Sequence, residues 1–314
     1  MYSYKQQLAK IGYHPQDVVQ YSKFFLAPRS FKMLNRSMDF PGKIWEDIPG
    51  VELDKDWTDE IQGCAAANNH WYLVSNKADS PRLLVFNGKS IVKSYNLSSV
   101  PKPSIPGFEF YHFGSILING QSIYIDHWDG TTGGHIMEFR GDGLSNLSFV
   151  RWIPLGLVHG RVGMLAIDFE QQVVVTSGGE KDISKVYLHS LETGMYLEGK
   201  TLLLDPPIQD GCYAQGGFWS PNNHLYISSG QGGILDQAKG HQYIYSYSPL
   251  NGKLLNTIPV TTLEGRQELE GCCYADVTRG GKRVQIHAVL LENEPVAKDD
   301  IYIKSFTADQ PEFI

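Results

Sequence analysis

From about residue 43 onward, apolar residues come in short runs rich in Val, Ile, Leu and Tyr, each bounded by Gly, Asn, Asp or Pro. Runs of this length between turn signals predict β-strands joined by tight turns. The pattern repeats. Five segments carry a polar or aromatic residue, then Gly, then small residues: QGCAAA from Gln62, FGSIL from Phe113, VGMLA from Val162, DGCYA from Asp210 and EGCCYA from Glu270. Each is followed by a second run (HWYLVSN, SIYIDHW, VVVTSG, HLYISSG, VQIHAVLL) and a third (RLLVFN, HIMEFR, KVYLHSL, YIYSYSP, DIYIKSF). Four repeats add a fourth run, SIVKSYNL, LSFVRWIP, YLEGKTLLL and KLLNTIPV, whereas the last repeat simply ends.

A strand-rich unit recurring about every fifty residues is the signature of a β-propeller, in which each repeat is one blade. The expected fold is all-β, a five-bladed propeller of four-stranded blades over residues 43–314. The missing outer strand of the last blade is expected at the other terminus. There KIWEDIPG followed by DEIQGCA parallels KLLNTIPV followed by QELEGCC, so residues 43–49 would complete the ring and leave no exposed sheet edge. Residues 1–42 lie outside the repeat as a partly helical extension, with Pro15 near the start of the helix-compatible run PQDVVQYSKFF.

Composition narrows the function classes. Apolar residues make up 42% of the 314 and charged residues 19%, ordinary globular usage that supports a substantial core. A net charge of −7 without a Lys/Arg run argues against nucleic acid or an anionic membrane as partner and fits a small-molecule ligand. The absence of a signal-type apolar stretch leads to the expectation of a cytoplasmic protein. Cys64, Cys212 and Cys272 share one repeat position, just after the Gly of the first strand, and Cys273 follows. Small residues suit the crowded centre of a propeller, so packing is the expected role of these thiols rather than metal ligation.

In a propeller the connections into the first strand and those between the second and third strands lie on one face. Here those loops are the chemically rich ones, DHWDGTTGGH, SGGEKDIS, SGQGGILDQAKGHQ and ENEPVAKDD, while the opposite turns are bland. The candidate site is therefore that mouth of the channel. His112, His159, Arg161 and Asp126 are the catalytic candidates, and Glu60, Gln62, His127, Trp128, Glu268 and Glu292 are candidates to bind substrate. Asn76 joins them at the end of a second strand. A histidine there would act as general base, a carboxylate would orient it, and Arg161 would stabilise developing negative charge.

At the EG of Glu270 and the DG of Asp210 the chain resembles propeller hydrolases of the gluconolactonase, regucalcin and paraoxonase kind. That resemblance implies a divalent metal, commonly calcium, held in the channel by Asp210 and Glu270. Phe113 and Val162 stand at two equivalent positions. The functional expectation is a small-molecule enzyme, hydrolase-like or cyclase- or lyase-like, acting on an ester, lactone or similar electrophile. The alternative is a non-catalytic ligand- or carbohydrate-binding propeller, since PNNHLYISSG is similar to blades of lectin propellers. A third reading, a protein-interaction scaffold, would use aromatics such as Trp45, Trp57 and Trp128.

Overall fold

A computed structural model of the chain describes residues 60–307, apart from 69, 78, 88–90, 142–145, 157–160, 222, 231–240, 262–266, 280–281 and 293–299. Each repeat becomes an antiparallel sheet whose strands lie side by side in chain order, because each apolar run is joined to the next by a tight turn. The first blade is β1 (Ile61–Ala67), β2 (His70–Ser75), β3 (Arg82–Phe86) and β4 (Ile91–Asn96). The second is β5 (His112–Asn119), β6 (Ser122–Trp128), β7 (Gly134–Arg140) and β8 (Ser148–Gly156). The third is β9 (Met164–Asp168), β10 (Val173–Ser177), β11 (Lys185–Ser190) and β12 (Tyr196–Leu203). The fourth is β13 (Tyr213–Trp219), β14 (Leu225–Gly230), β15 (His241–Tyr247) and β16 (Leu254–Thr261). The last sheet has β17 (Gln267–Arg279), β18 (Lys282–Glu292) and β19 (Asp300–Thr307).

The fold is an all-β propeller with almost no helix; among the described residues a single 3-10 turn, Leu97–Ser99, lies between blades. The expectation of five four-stranded blades is corrected: there are four such blades, and β17–β19 form a sheet of three. The chain's own repeats run out at that point. The segment expected to supply the further strand, residues 43–49, lies outside the described residues, as does the expected helical extension.

The first strands β1, β5, β9, β13 and β17 are the inner ones. Each packs on the next around the ring, and β17 packs back on β1. Second strands are buried on both faces, which is why they read as continuous apolar runs, whereas the outer strand β4 alternates half-buried and exposed positions. Apolar side chains fill the wedges between sheets. Tyr72, Val74, Phe113, Ile125 and Met137 join the first two blades, and Met164, Val175, Leu188, Ile227 and Tyr247 join the third and fourth. No described helix is long and apolar enough to cross a membrane.

The ring is tightest at a set of glycines. A β-carbon on Gly63 would sit 2.7 Å from the carbonyl oxygen of Gly114 in the neighbouring inner strand. One on Gly216 would sit 3.0 Å from the α-carbon of Gly271, and one on Gly271 would sit 3.5 Å from that of Gly63. Backbone meets backbone here, with no flexible side chain to give way. In the fourth repeat the close-approach residue is thus Gly216, not the Gly211 of the DGC motif, which adopts a left-handed turn (φ 74°) ahead of β13. Cys64 and Cys272 do follow their glycines into the inner strands, but Cys212 precedes β13. All four cysteines are buried free thiols, and the Sγ atoms of Cys64 and Cys273 lie 3.6 Å apart between the first and last sheets.

Gly63→Ala is expected to destabilise the protein by about 1–3 kcal/mol, the usual cost of overpacking. Gly199→Asn, at a left-handed position (φ 71°) with nothing within 4 Å, is expected to cost less than about 1 kcal/mol. Denaturant unfolding of the two variants measures the difference.

Candidate functional site

At the mouth where the inner strands begin, three blades contribute to one cluster. His112 opens β5 and lies opposite Trp128, the last residue of β6, with their rings 5.6 Å apart. Asp126 stands two residues before Trp128 and so on the same face of the strand. From the third repeat, Arg161 places its guanidinium carbon 4.9 Å from the Trp128 ring and 5.5 Å from the ring of Tyr213 in the fourth blade. Lys181 approaches the same tyrosine at 5.0 Å, and the Lys181 and Tyr213 backbones form a bridge between the third and fourth blades. Gly179 leaves the space that the Arg161 side chain fills, since a β-carbon there would collide with it.

The electrostatics of this cluster invert the expected roles. Burial, with the nearby Arg161 charge second, pushes His112 down to about 4, so its imidazole is neutral at physiological pH. Burial pushes the Asp126 carboxyl up to about 7, opposed by hydrogen bonding to Ser115 and by Arg161. Asp126, rather than the histidine, is therefore the group poised to exchange a proton near neutrality. Three buried polar atoms of this cluster, His112 Nδ1, Asp126 Oδ1 and Trp128 Nε1, have no hydrogen-bond partner among the described residues. Buried polar atoms rarely lack partners, and three on one sheet face point to a ligand-facing surface.

The other expected residues are distributed as follows. His127 is not part of the cluster: strand alternation turns it to the opposite face, where it is fully buried, accepts a hydrogen bond from the Tyr111 N–H at 3.1 Å and packs on Phe108, Phe113 and Trp152. Glu60 is exposed with a left-handed backbone (φ 56°), and its carbonyl accepts a hydrogen bond from Asn76 N. The Asn76 side chain accepts one from Phe113 N at 3.0 Å, tying the first blade to the second. Gln62, Glu268 and Glu270 are buried on inner strands, and Glu268 accepts a hydrogen bond from the Gln215 amide. His159 and the Glu292 side chain lie outside what is described, although Glu292 ends β18.

The pairing of Asp210 with Glu270 as metal ligands rested on the repeat register, and that register is displaced in the fourth repeat. Glu270 precedes the close-approach Gly271, and the residue standing before Gly216 is Gln215. Asp210 instead caps its own blade: Oδ1 accepts from Cys212 N (3.0 Å) and Ser229 Oγ (3.1 Å), and Oδ2 accepts from the Tyr245 hydroxyl (3.0 Å). Among the described residues no three His, Cys, Asp or Glu side chains gather as a metal would require.

A second feature lies at the other end of the channel, where the inner strands finish and the turns looked bland in the sequence. A cavity of about 240 Å³ is lined by residues of all five inner strands, from Ala65 and Ala66 through Leu117, Asp168 and Phe218 to Cys273 and Tyr274. Its walls come from the inner strands and from the turns that follow β9 and β13, and neither turn stood out in the sequence.

No family model matches the chain, and no curated protein matches it. Among solved structures, the tail fibre of Staphylococcus aureus phage P68 superposes with a TM-score of 0.52 at 13% identity, covering 91% of this chain and 53% of that one. A bifunctional GH43-CE protein of Bacteroides eggerthii gives 0.53 at 13% identity, covering 79% of this chain and 33% of that one. The GH43 endo-arabinanase of Bacillus licheniformis gives 0.47 at 11% identity, covering 80% and 94%. The likeness is one of fold. The chain spans about half the length of the tail fibre and a third of the GH43-CE protein. Nothing in these matches bears on a gluconolactonase-like identity.

A stability measurement isolates Asp126. An unfolded aspartate titrates near ~3.9, so the folded protein, in which this carboxyl titrates at about 7, holds the proton more tightly. The resulting stabilisation is fully present below the unfolded value and is lost as pH rises through about 7. Asp126→Asn, which cannot ionise, is expected to gain stability relative to the parent chain across that window, by a few kcal/mol at most, with no further gain above it. Urea unfolding at a series of pH values measures the difference.

Proposed function

We propose that the protein is a small-molecule propeller enzyme whose site is the mouth cluster of His112, Asp126, Trp128 and Arg161, acting on an ester, lactone or similar electrophile. The observation that carries this reading is the set of three buried polar atoms without partners, beside a guanidinium held between two aromatic rings. In this reading Arg161 binds the carbonyl or developing oxyanion, which gains negative charge only as the reaction proceeds. Trp128 and Tyr213 hold the guanidinium flat and at a fixed distance. Asp126 takes up or gives a proton at near-neutral pH, and neutral His112 offers its free ring nitrogen to the substrate or to an attacking water. GH43 enzymes and the phage tail fibre share the propeller scaffold, which is compatible with an enzyme without selecting a reaction.

The proposed ring has five blades, the last completed by residues 43–49 pairing with β19, because a three-stranded sheet with a long bare edge invites aggregation.

Two measurements test these proposals. In a screen of aryl esters and lactones, the full chain is expected to hydrolyse at least one class, with Asp126→Asn and Arg161→Met each lowering kcat/KM by about 100-fold or more. Absence of turnover across the screen, or unchanged turnover in both variants, rejects the enzyme reading. The chain lacking residues 1–50 is expected to aggregate or to melt well below the full chain, and an unchanged melting temperature rejects the closing strand.

A further inference from the structure

The cavity at the far end of the channel combines two features that together define a ligand chemistry. The first is Asp168, which ends β9 and is only 2% exposed. Its Oδ1 accepts hydrogen bonds from the Glu170 and Gln171 N–H groups, 3.0 Å each, and so caps the turn into β10. That cap needs one oxygen. The other, Oδ2, is buried without a hydrogen-bond partner in a residue that lines the cavity. The second feature is the aromatic wall: Phe169, Phe218, Trp219 and Tyr274 line the same space. Phe218 is held by stacking on Tyr226 at 4.5 Å, and Trp219 by its Nε1 hydrogen bond to Asn223 at 3.2 Å, so these rings are set in place before any ligand arrives.

An unpartnered carboxylate oxygen asks for a hydrogen-bond donor, and aromatic faces attract positive charge. The exposed carboxylate of Glu170 adds negative potential, and among the described residues the cavity lining includes no Lys, Arg or His to oppose it. At about 240 Å³ the space lies below the roughly 300 Å³ at which drug-sized pockets begin, so the occupant is small. We infer that this cavity is a binding site for a small protonated amine, its N–H donated to Asp168 Oδ2 and its alkyl part against Phe169, Phe218 and Tyr274. A quaternary ammonium has no N–H to satisfy Oδ2, and a neutral alcohol lacks the charge; both should bind less well. The site is at the opposite end of the channel from the mouth cluster and does not depend on that cluster being catalytic.

The test is calorimetric titration of the full chain with n-butylammonium chloride at about pH 8, where Asp168, pushed up by burial to about 6, carries its charge. Saturable binding is expected, about tenfold or more tighter than tetramethylammonium or 1-butanol under the same conditions. Asp168→Asn, which keeps an oxygen for the turn cap, is expected to weaken n-butylammonium binding about tenfold or more. Ala66→Leu, which fills the cavity from the first blade without touching the carboxylate, is expected to abolish it and serves if the Asp168 variant fails to fold. No saturable binding, equal binding of the alcohol, or binding unchanged in the folded Asp168 variant or in Ala66→Leu overturns the proposal.

Discussion

The architecture depends on backbone meeting backbone at the centre of the ring. Sheets arranged around an axis converge there, and the inner strands of this chain come so close at Gly63 that a β-carbon would strike the Gly114 carbonyl, while at Gly216 and Gly271 it would sit in tight contact with the neighbouring backbone. Hydrophobic burial between sheets supplies the bulk of the driving force, but it is non-directional and tolerates many arrangements. The glycine contacts are directional. They set how far each blade can advance toward the axis, and that distance determines how close residues on different blades come to one another.

Both features with chemical potential follow from this convergence. At one end, Arg161 of the third repeat reaches Trp128 of the second blade and Tyr213 of the fourth because successive sheets pack face to face around the axis. At the other, side chains from all five inner strands surround one cavity. The same low-dielectric surroundings that hold His112 neutral push Asp126 and Asp168 upward. Burial thus moves these acidic residues toward neutrality.

The tightness of the inner ring also explains its cysteines. Cys64, Cys272 and Cys273 are buried there; burial holds the Cys272 thiol above its ordinary range, and the contact with Cys64 together with burial does the same for Cys273. Cys64 and Cys273 meet across the junction of the first and last sheets, their Sγ atoms 3.6 Å apart.

The strands were legible in the sequence because their signal is local: period-two and continuous apolar runs bounded by turn residues locate all nineteen, including SIYIDHW, which is β6 to the residue. The repeat also announced a propeller, since self-similarity needs no knowledge of contacts. What local pattern could not decide was which residue of a motif faces which neighbour. The DGC of the fourth repeat looked equivalent to EGC of the last, yet the inner strand begins after it and Gly216 makes the close approach, while Asp210 accepts hydrogen bonds from Cys212, Ser229 and Tyr245 of its own blade. His127 lies between Asp126 and Trp128 in the sequence, but the pleat sends it to the other face, into the aromatic core. The cavity beside Asp168 had no sequence signal, because it is assembled from short stretches of all five repeats that lie far apart along the chain. Composition and spacing therefore determined the elements and their order. Distances between blades, which create a shifted carboxyl or an enclosed space, exist only once the ring has formed.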